Sequence, residues 1–175
     1  KNLADNEETK TVETNFILKI NGIEQSTQKL TNIIKKAKIK TELSFMKRTY
    51  MVDRNEYTYS FIINNITDED INDLTTTIQI PKEILVTEPK VISNGLGTDD
   101  ENNTTIEVND NNLLTFNMKT LKSGQQAEFE FLAKVTTLDI IDSSIDIFAN
   151  TFVDNETYKS NIAKNKIEAA EVTIE

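Results

Sequence analysis

Apolar and polar residues alternate most regularly between Asn112 and Val135. Leu114, Phe116 and Met118 are separated by Thr115 and Asn117. Further on, Ala127, Phe129, Phe131, Ala133 and Val135 are separated by Glu128, Glu130, Leu132 and Lys134. Period-two alternation places one set of side chains on a buried face and the other in water. Lys122-Ser123-Gly124 lies between the two runs, with Gly124 free to take positive φ. The pattern predicts two strands joined as an antiparallel hairpin, whose apolar face another sheet must cover.

The rest of the chain carries the same period. Phe16–Ile20 reads as a strand, Asn21-Gly22 as a type I′ turn, and Gln28–Ile34 as the returning strand. Leu30, Ile33, Ile34 and Ala37 also fall at helical spacing, so a short helix over Leu30–Lys40 is the alternative. In Lys38–Met46, Ile39, Thr41, Leu43 and Phe45 share a side. Asp53–Glu56 is a turn, and Tyr57–Asn65 presents Tyr57, Tyr59, Phe61 and Ile63 on one face. An acidic loop, Thr67–Asp73, precedes a strand Leu74–Ile80 that Pro81 ends. Ile84–Val86 and Lys90–Ile92 read as short segments broken by Pro89, and Ser93–Asn103 as an exposed, turn-rich loop. Thr104–Val108 is expected to pair across Asn109-Asp110-Asn111 with Leu113–Met118. Ser144–Val153 and Lys166–Ile174 close the chain, the latter also compatible with a helix. Many strands at roughly ten-residue spacing, separated by Asn, Asp and Gly turns, predict an all-β, antiparallel two-sheet sandwich of the immunoglobulin-like kind.

Composition narrows the chemistry. The 175 residues hold no Cys, His or Trp. Thiol nucleophiles, Ser-His-Asp triads and His/Cys metal sites are therefore excluded. Only hard oxygen ligands remain, with calcium the leading metal. A net charge of −10 argues against nucleic acid, whose phosphates need clustered Lys and Arg. No apolar run reaches the about 18 residues of a membrane span. The chain starts at Lys1 without Met and reads as a piece of a longer protein. The abundance of Asn and Lys reads as base composition of the source, without chemistry of its own.

Four candidate sites can be drawn from what is left, and each has a plainer reading. Thr67–Asp73 and Asp99–Asn103 cluster carboxylates and amides suited to calcium, or are solvated acidic turns. A Lys–Asn isopeptide cross-link needs a buried, pKa-lowered Lys, whereas Lys38, Lys40 and Lys134 fall on polar faces. Glu128 and Glu130 form a carboxylate pair, but on one strand's wet face rather than across a cleft. Tyr57 and Tyr59 are a sugar-stacking platform or, in period with Phe61 and Ile63, core. The expectation is no catalytic residue, no cofactor and no metal site.

The two ends of the chain resemble each other. Offset by 129 positions, Leu18 meets Ile147, Asn21 meets Asn150, Ile23 meets Phe152, and Thr31-Asn32-Ile33 meets Ser160-Asn161-Ile162. This suggests that residues 1–36 are the closing strands of a preceding repeat or an N-terminal extension, and that residues 37–175 form one sandwich repeat. Tyr57–Asn65 is an aromatic-rich strand ending in Asn, and Thr75–Pro81 a strand running into Pro. Leu121 and Gly124 form a Leu-x-x-Gly turn before a long strand, and Ser160-Asn161 a small-residue-plus-Asn step. In this order the features resemble the "conserved repeat" immunoglobulin-like domain found in tandem in large bacterial surface proteins, over about Lys38–Glu175. The resemblance implies a non-catalytic structural, spacer or adhesion module, extracellular and associated with the cell surface. Its partners would be neighbouring repeats of the same chain and host or cell-wall ligands. A module recognising sugar or a host protein through exposed loops is the alternative.

Overall fold

The structure, a computed structural model, describes residues 9–47, 56–97, 101–137 and 144–166. Among these the chain forms thirteen strands and a single turn of 3-10 helix. It divides into two compact units, Lys1–Lys38 and Ile39–Glu175.

The first unit is a two-stranded antiparallel ribbon of β1 (Thr9–Ile20) and β2 (Ile23–Lys35). Asn21 and Gly22 both take positive φ, 52° and 80°, so the I′ turn forms as expected. Residues 30–35 are strand, not helix: the β-branched Thr31, Ile33 and Ile34 lie opposite Glu13, Thr11 and Lys10. One face carries the ion pairs Lys19–Glu24 (2.9 Å) and Lys29–Glu13 (2.5 Å). The register puts Leu18, Ile20, Ile23, Leu30 and Ile34 on the other face, and all five are exposed.

The second unit is an all-β sandwich of two antiparallel sheets. Sheet one has the order β3 (Ile39–Lys47), β4 (Glu56–Asn65), β9 (Gln126–Val135), β6 (Ile84–Asn94). Sheet two has the order β12 (Glu156–Lys159), β11 (Ala149–Val153), β5 (Ile71–Gln79), β8 (Leu113–Leu121), β7 (Thr104–Val108). A short pair, β10 (Ser144–Ile147) with β13 (Ala163–Lys166), adds Ile145, Ile147 and Ala163 to the same core. The predicted alternations hold: Tyr57, Tyr59, Phe61 and Ile63 are buried from β4, and Ala127, Phe129, Phe131 and Ala133 from β9. Tyr59 stacks on Phe131 (centroids 5.1 Å) and Phe129 on Phe116 of the facing sheet (4.5 Å). Such pairs contribute about 0.5–1.5 kcal/mol beyond the area they bury.

The pairing of the best-patterned stretch differs from expectation. β8 and β9 are not a hairpin. β8 pairs with β5 and β7, β9 with β4 and β6, and residues 122–125 carry the chain from one sheet to the other. Alternation fixes which face of each strand is buried; a hairpin and an inter-sheet arch bury the same side chains, so the pattern alone does not separate them. Gly124 takes the expected positive φ of 67°. The chain also crosses between sheets after β4, β5 and β6. Hairpins do join β7 to β8, the expected pair, and β11 to β12, where Asp154 and Asn155 both have positive φ.

Three further details depart from the sequence reading. β5 begins at Ile71, inside the predicted acidic loop. Ile84–Asn94 is one strand, with Glu88 and Pro89 bulged between Thr87 and Lys90. Pro is tolerated there because β6 is a sheet edge. Ser144–Val153 splits at Phe148 into β10 and β11, which pair in different sheets. The predicted Asp53–Glu56 turn, apart from Glu56 at the start of β4, and all of Lys166–Ile174 beyond Lys166 lie outside the described residues.

Candidate functional site

None of the sequence-derived candidates assembles into a catalytic or metal centre among the described residues. In the Thr67–Asp73 segment, Asp70 Oδ1 accepts the Ser123 backbone N–H (2.9 Å) and Ser123 Oγ donates to the Thr67 carbonyl (3.0 Å). These bonds tie the β4–β5 crossing to the β8–β9 crossing. Among the described residues, no three carboxylates group as metal ligands. Of Asp99–Asn103, Asp99 and Asp100 lie outside the described residues. Asn103 is buried, and so is Gly95, so the predicted exposed loop is anchored at both ends. Glu128 and Glu130 do lie on the outward face of β9, each engaged locally: Ser60 Oγ donates to Glu128 (2.9 Å), and Lys90 pairs with Glu130 (3.0 Å). Tyr57 and Tyr59 are core. Burial pushes the Tyr59 phenol above its ordinary pKa, an effect the nearby Asn165 amide partly offsets and Tyr57 adds to. The Tyr59 hydroxyl is buried, and no hydrogen-bond partner meets it among the described residues. Lys38 and Lys40 are exposed, and Lys134 is half-buried on the outer face of β9.

What positions the strands is a set of asparagine side chains whose role composition did not reveal. A primary amide has the donor and acceptor of a peptide group and can pair with a strand edge as another strand would. Asn161 does so at β3: its Nδ2 donates to the Leu43 carbonyl (2.7 Å) and its Oδ1 accepts the Leu43 N–H (2.8 Å). Asn103 makes the same two bonds to Thr120 of β8 (2.8 and 3.1 Å), and its Nδ2 also reaches the Asn94 carbonyl. Asn65 donates to the Leu121 and Glu69 carbonyls (3.0 and 2.8 Å) and accepts from Thr67. Asn112 donates to the carbonyls of Pro81 and Ile84 (3.2 and 3.0 Å). Each sits where the chain leaves one sheet or turns back, supplying hydrogen bonds the interrupted ladder cannot. Ser160 assists: its Oγ accepts the Ala149 N–H (2.9 Å) as the chain passes from β12 to β13. The available signals were the Asn that ends the Tyr57–Asn65 strand and the Ser160-Asn161 step.

The two outer faces differ in chemistry. Sheet one presents Glu42, Glu128, Glu130 and Lys90. Sheet two presents mostly uncharged residues, in rows that follow the register: Lys159, Asn150, Thr77, Thr115 and Glu107 form one row, charged only at its ends. No helix in the described residues is long and apolar enough to cross a membrane.

Neither a family model nor a curated protein matches this chain by sequence. Solved structures match it by shape. The full-length major pilin SpaD of Corynebacterium diphtheriae superimposes with a TM-score of 0.59 at 15% identity, over 82% of this chain and 45% of the pilin. The N-terminal domain of the Streptococcus gordonii adhesin Sgo0707 gives 0.60 at 15%, over 83% of this chain and 37% of that one. The C-terminal domain of the Streptococcus pyogenes antigen I/II-family protein AspA gives 0.55 at 11%, over 92% and 56%. The fold is that of pilin and adhesin domains. The chain spans about half, or less, of each of these structures.

Proposed function

We propose that the chain is a non-catalytic structural and adhesion segment of a large bacterial cell-surface protein. Ile39–Glu175 is one sandwich module, and residues 1–36 are the closing strands of a preceding one. The observation that carries this reading is the likeness of the sandwich to domains of pilins and adhesins, each of which belongs to a longer chain. The ribbon supports the second part. An isolated two-stranded hairpin is marginal in water, and Leu18, Ile20, Ile23, Leu30 and Ile34 form an apolar face suited to a core that another module would supply. The internal similarity is looser than the offset of 129 suggests. That offset sets the turn residue Asn21 against Asn150 within β11, whereas the two-residue turns themselves lie 133 positions apart, from Asn21 to Asp154. Correspondence at the level of a closing hairpin is what remains.

The test is surface accessibility. Antibodies raised against the 175-residue chain should label intact cells of the source bacterium, and brief protease treatment of those cells should remove the label. Labelling only after lysis would sink the proposal.

A further inference from the structure

Across sheet two, the register aligns Thr157, Phe152, Thr75, Asn117 and Thr105, one residue from each of its five strands. Their sequence neighbours Thr151, Thr76 and Phe116 are buried, so this row faces outward. Phe152 is 43% exposed, the sole aromatic of the row. Beside it, Thr75 Oγ1 donates to Asn117 Oδ1 (2.9 Å). That bond orients the amide and leaves the Asn117 N–H groups and a Thr75 lone pair for a ligand. Thr75, Asn117 and Thr105 border an open depression of about 230 Å³, which Asp73 and Lys119 also line.

We propose that this face binds a neutral oligosaccharide, with Phe152 stacking against the apolar face of one sugar ring and Asn117, Thr75 and Thr105 bonding to the hydroxyls of the next. Three strand spacings separate Phe152 from Thr105, about 14 Å, which is the length of a short oligosaccharide rather than of a single ring. An exposed aromatic combined with fixed amide and hydroxyl groups suits a ligand that is apolar on its ring faces and polar at its edges. Asp73 and Lys119 balance each other at the depression, and the chain's net charge of −10 disfavours anionic sugars. A protein partner fits less well. Stable interfaces bury about 800 Å² per partner around an apolar centre, and here a single aromatic is surrounded by Thr and Asn. The site lies mainly on strands; of the loop Ser93–Asn103 only Asn103, tied to Thr120 of β8, lines the depression. It holds or falls independently of where the parent protein resides.

Saturation-transfer NMR on the full 175-residue chain tests it, with N-acetyl-chitotriose, cellotetraose and maltotetraose as neutral probes and a sialylated trisaccharide as the anionic one. At least one neutral probe should bind saturably and more tightly than the anionic one. Phe152→Ala should weaken that binding at least about tenfold with native near-UV circular dichroism retained, because the ring lies on the outer face and not in the core. Asn117→Ala should weaken it with native near-UV circular dichroism retained. Lys90→Ala, on the other sheet, should leave it unaltered. Three results would each overturn the proposal. One is no saturable binding by any neutral probe up to about 10 mM; another is saccharide binding indifferent to Phe152→Ala. The third is a concentration-dependent dimer in sedimentation that Phe152→Ala abolishes, which would assign the face to a second copy of the chain.

Discussion

Asn161 shows how a single side chain can do the work of a missing strand. β3 is an edge of its sheet, and the backbone N–H and C=O of Leu43 would end there without a partner. The Asn161 amide meets both. A hydrogen bond of this kind contributes about 1 kcal/mol, but leaving buried groups unpaired costs about 1–3 kcal/mol. Asn161→Ala should therefore lower stability by about 2 kcal/mol in urea unfolding. Asn161→Asp should cost at least as much at neutral pH, because a carboxylate cannot donate to the Leu43 carbonyl. Protonation near pH 4 restores a donor, so the Asp variant should recover relative to the Ala variant as pH falls toward 3; an Asp variant as stable as the parent at pH 7 would contradict the clamp. Composition concealed this. Abundant Asn reads as bias when counted, and the pairing exists only once β12–β13 has been laid beside β3, more than a hundred residues away in sequence.

At the level of elements, strand existence and strand facing were legible because both are local. Val, Ile, Thr and aromatic residues at period two specify an extended, half-buried segment wherever it is placed. Pairing is not local, which is why β8 and β9 could be read as a hairpin and prove to be an arch. β6 is a related case. Pro89 suggested a break, yet an edge strand absorbs it as a bulge, with Glu88 at φ 49° and pairing with β9 resuming at Lys90 opposite Glu130. Bulges and Pro also blunt that edge against pairing with other chains. Within the ribbon β1–β2 the ladder carries the exposed ion pairs Lys19–Glu24 and Lys29–Glu13, each worth well under about 1 kcal/mol. Its amides should accordingly exchange with deuterium orders of magnitude faster than those of β4, β5, β8 and β9 in the 175-residue chain. Equal protection in mass-spectrometric exchange would show that the ribbon has a core to lean on.

At the scale of the whole molecule, the aromatic column Phe45, Tyr59, Phe131 and the cross-sheet stack Phe116–Phe129 make the sandwich one cooperative core. Tyr59 is fully buried, so its phenol gives up its proton less readily in the folded chain than in water. With the folded pKa raised above the ordinary 10.0, both states keep the proton below pH 10 and the full stability is present. As pH rises above 10 the unfolded chain ionises first, and stability falls until the folded pKa is passed. Tyr59→Phe should change stability by less than about 1 kcal/mol at pH 7, since the hydroxyl is unsatisfied. It should also flatten the fall in melting temperature between pH 9 and 11. An alkaline profile identical to the parent's would show that Tyr59 does not couple to unfolding.

By itself the sequence determined the all-β class, the buried face of nearly every strand, the left-handed turn positions at Asn21-Gly22 and Gly124, and the exclusion of thiol, imidazole and triad chemistry. These follow from neighbours in the chain and from which functional groups exist at all. Tertiary structure decided which strands share a sheet, that the asparagines close the crossings, and that Phe152, Thr75, Asn117 and Thr105 stand in one row. Those relations join residues far apart in sequence through backbone hydrogen bonds that every residue type makes alike, so no local pattern encodes them. The Asn112–Val135 stretch shows both sides: its faces were readable from alternation, and its partners were settled only when two sheets closed over it.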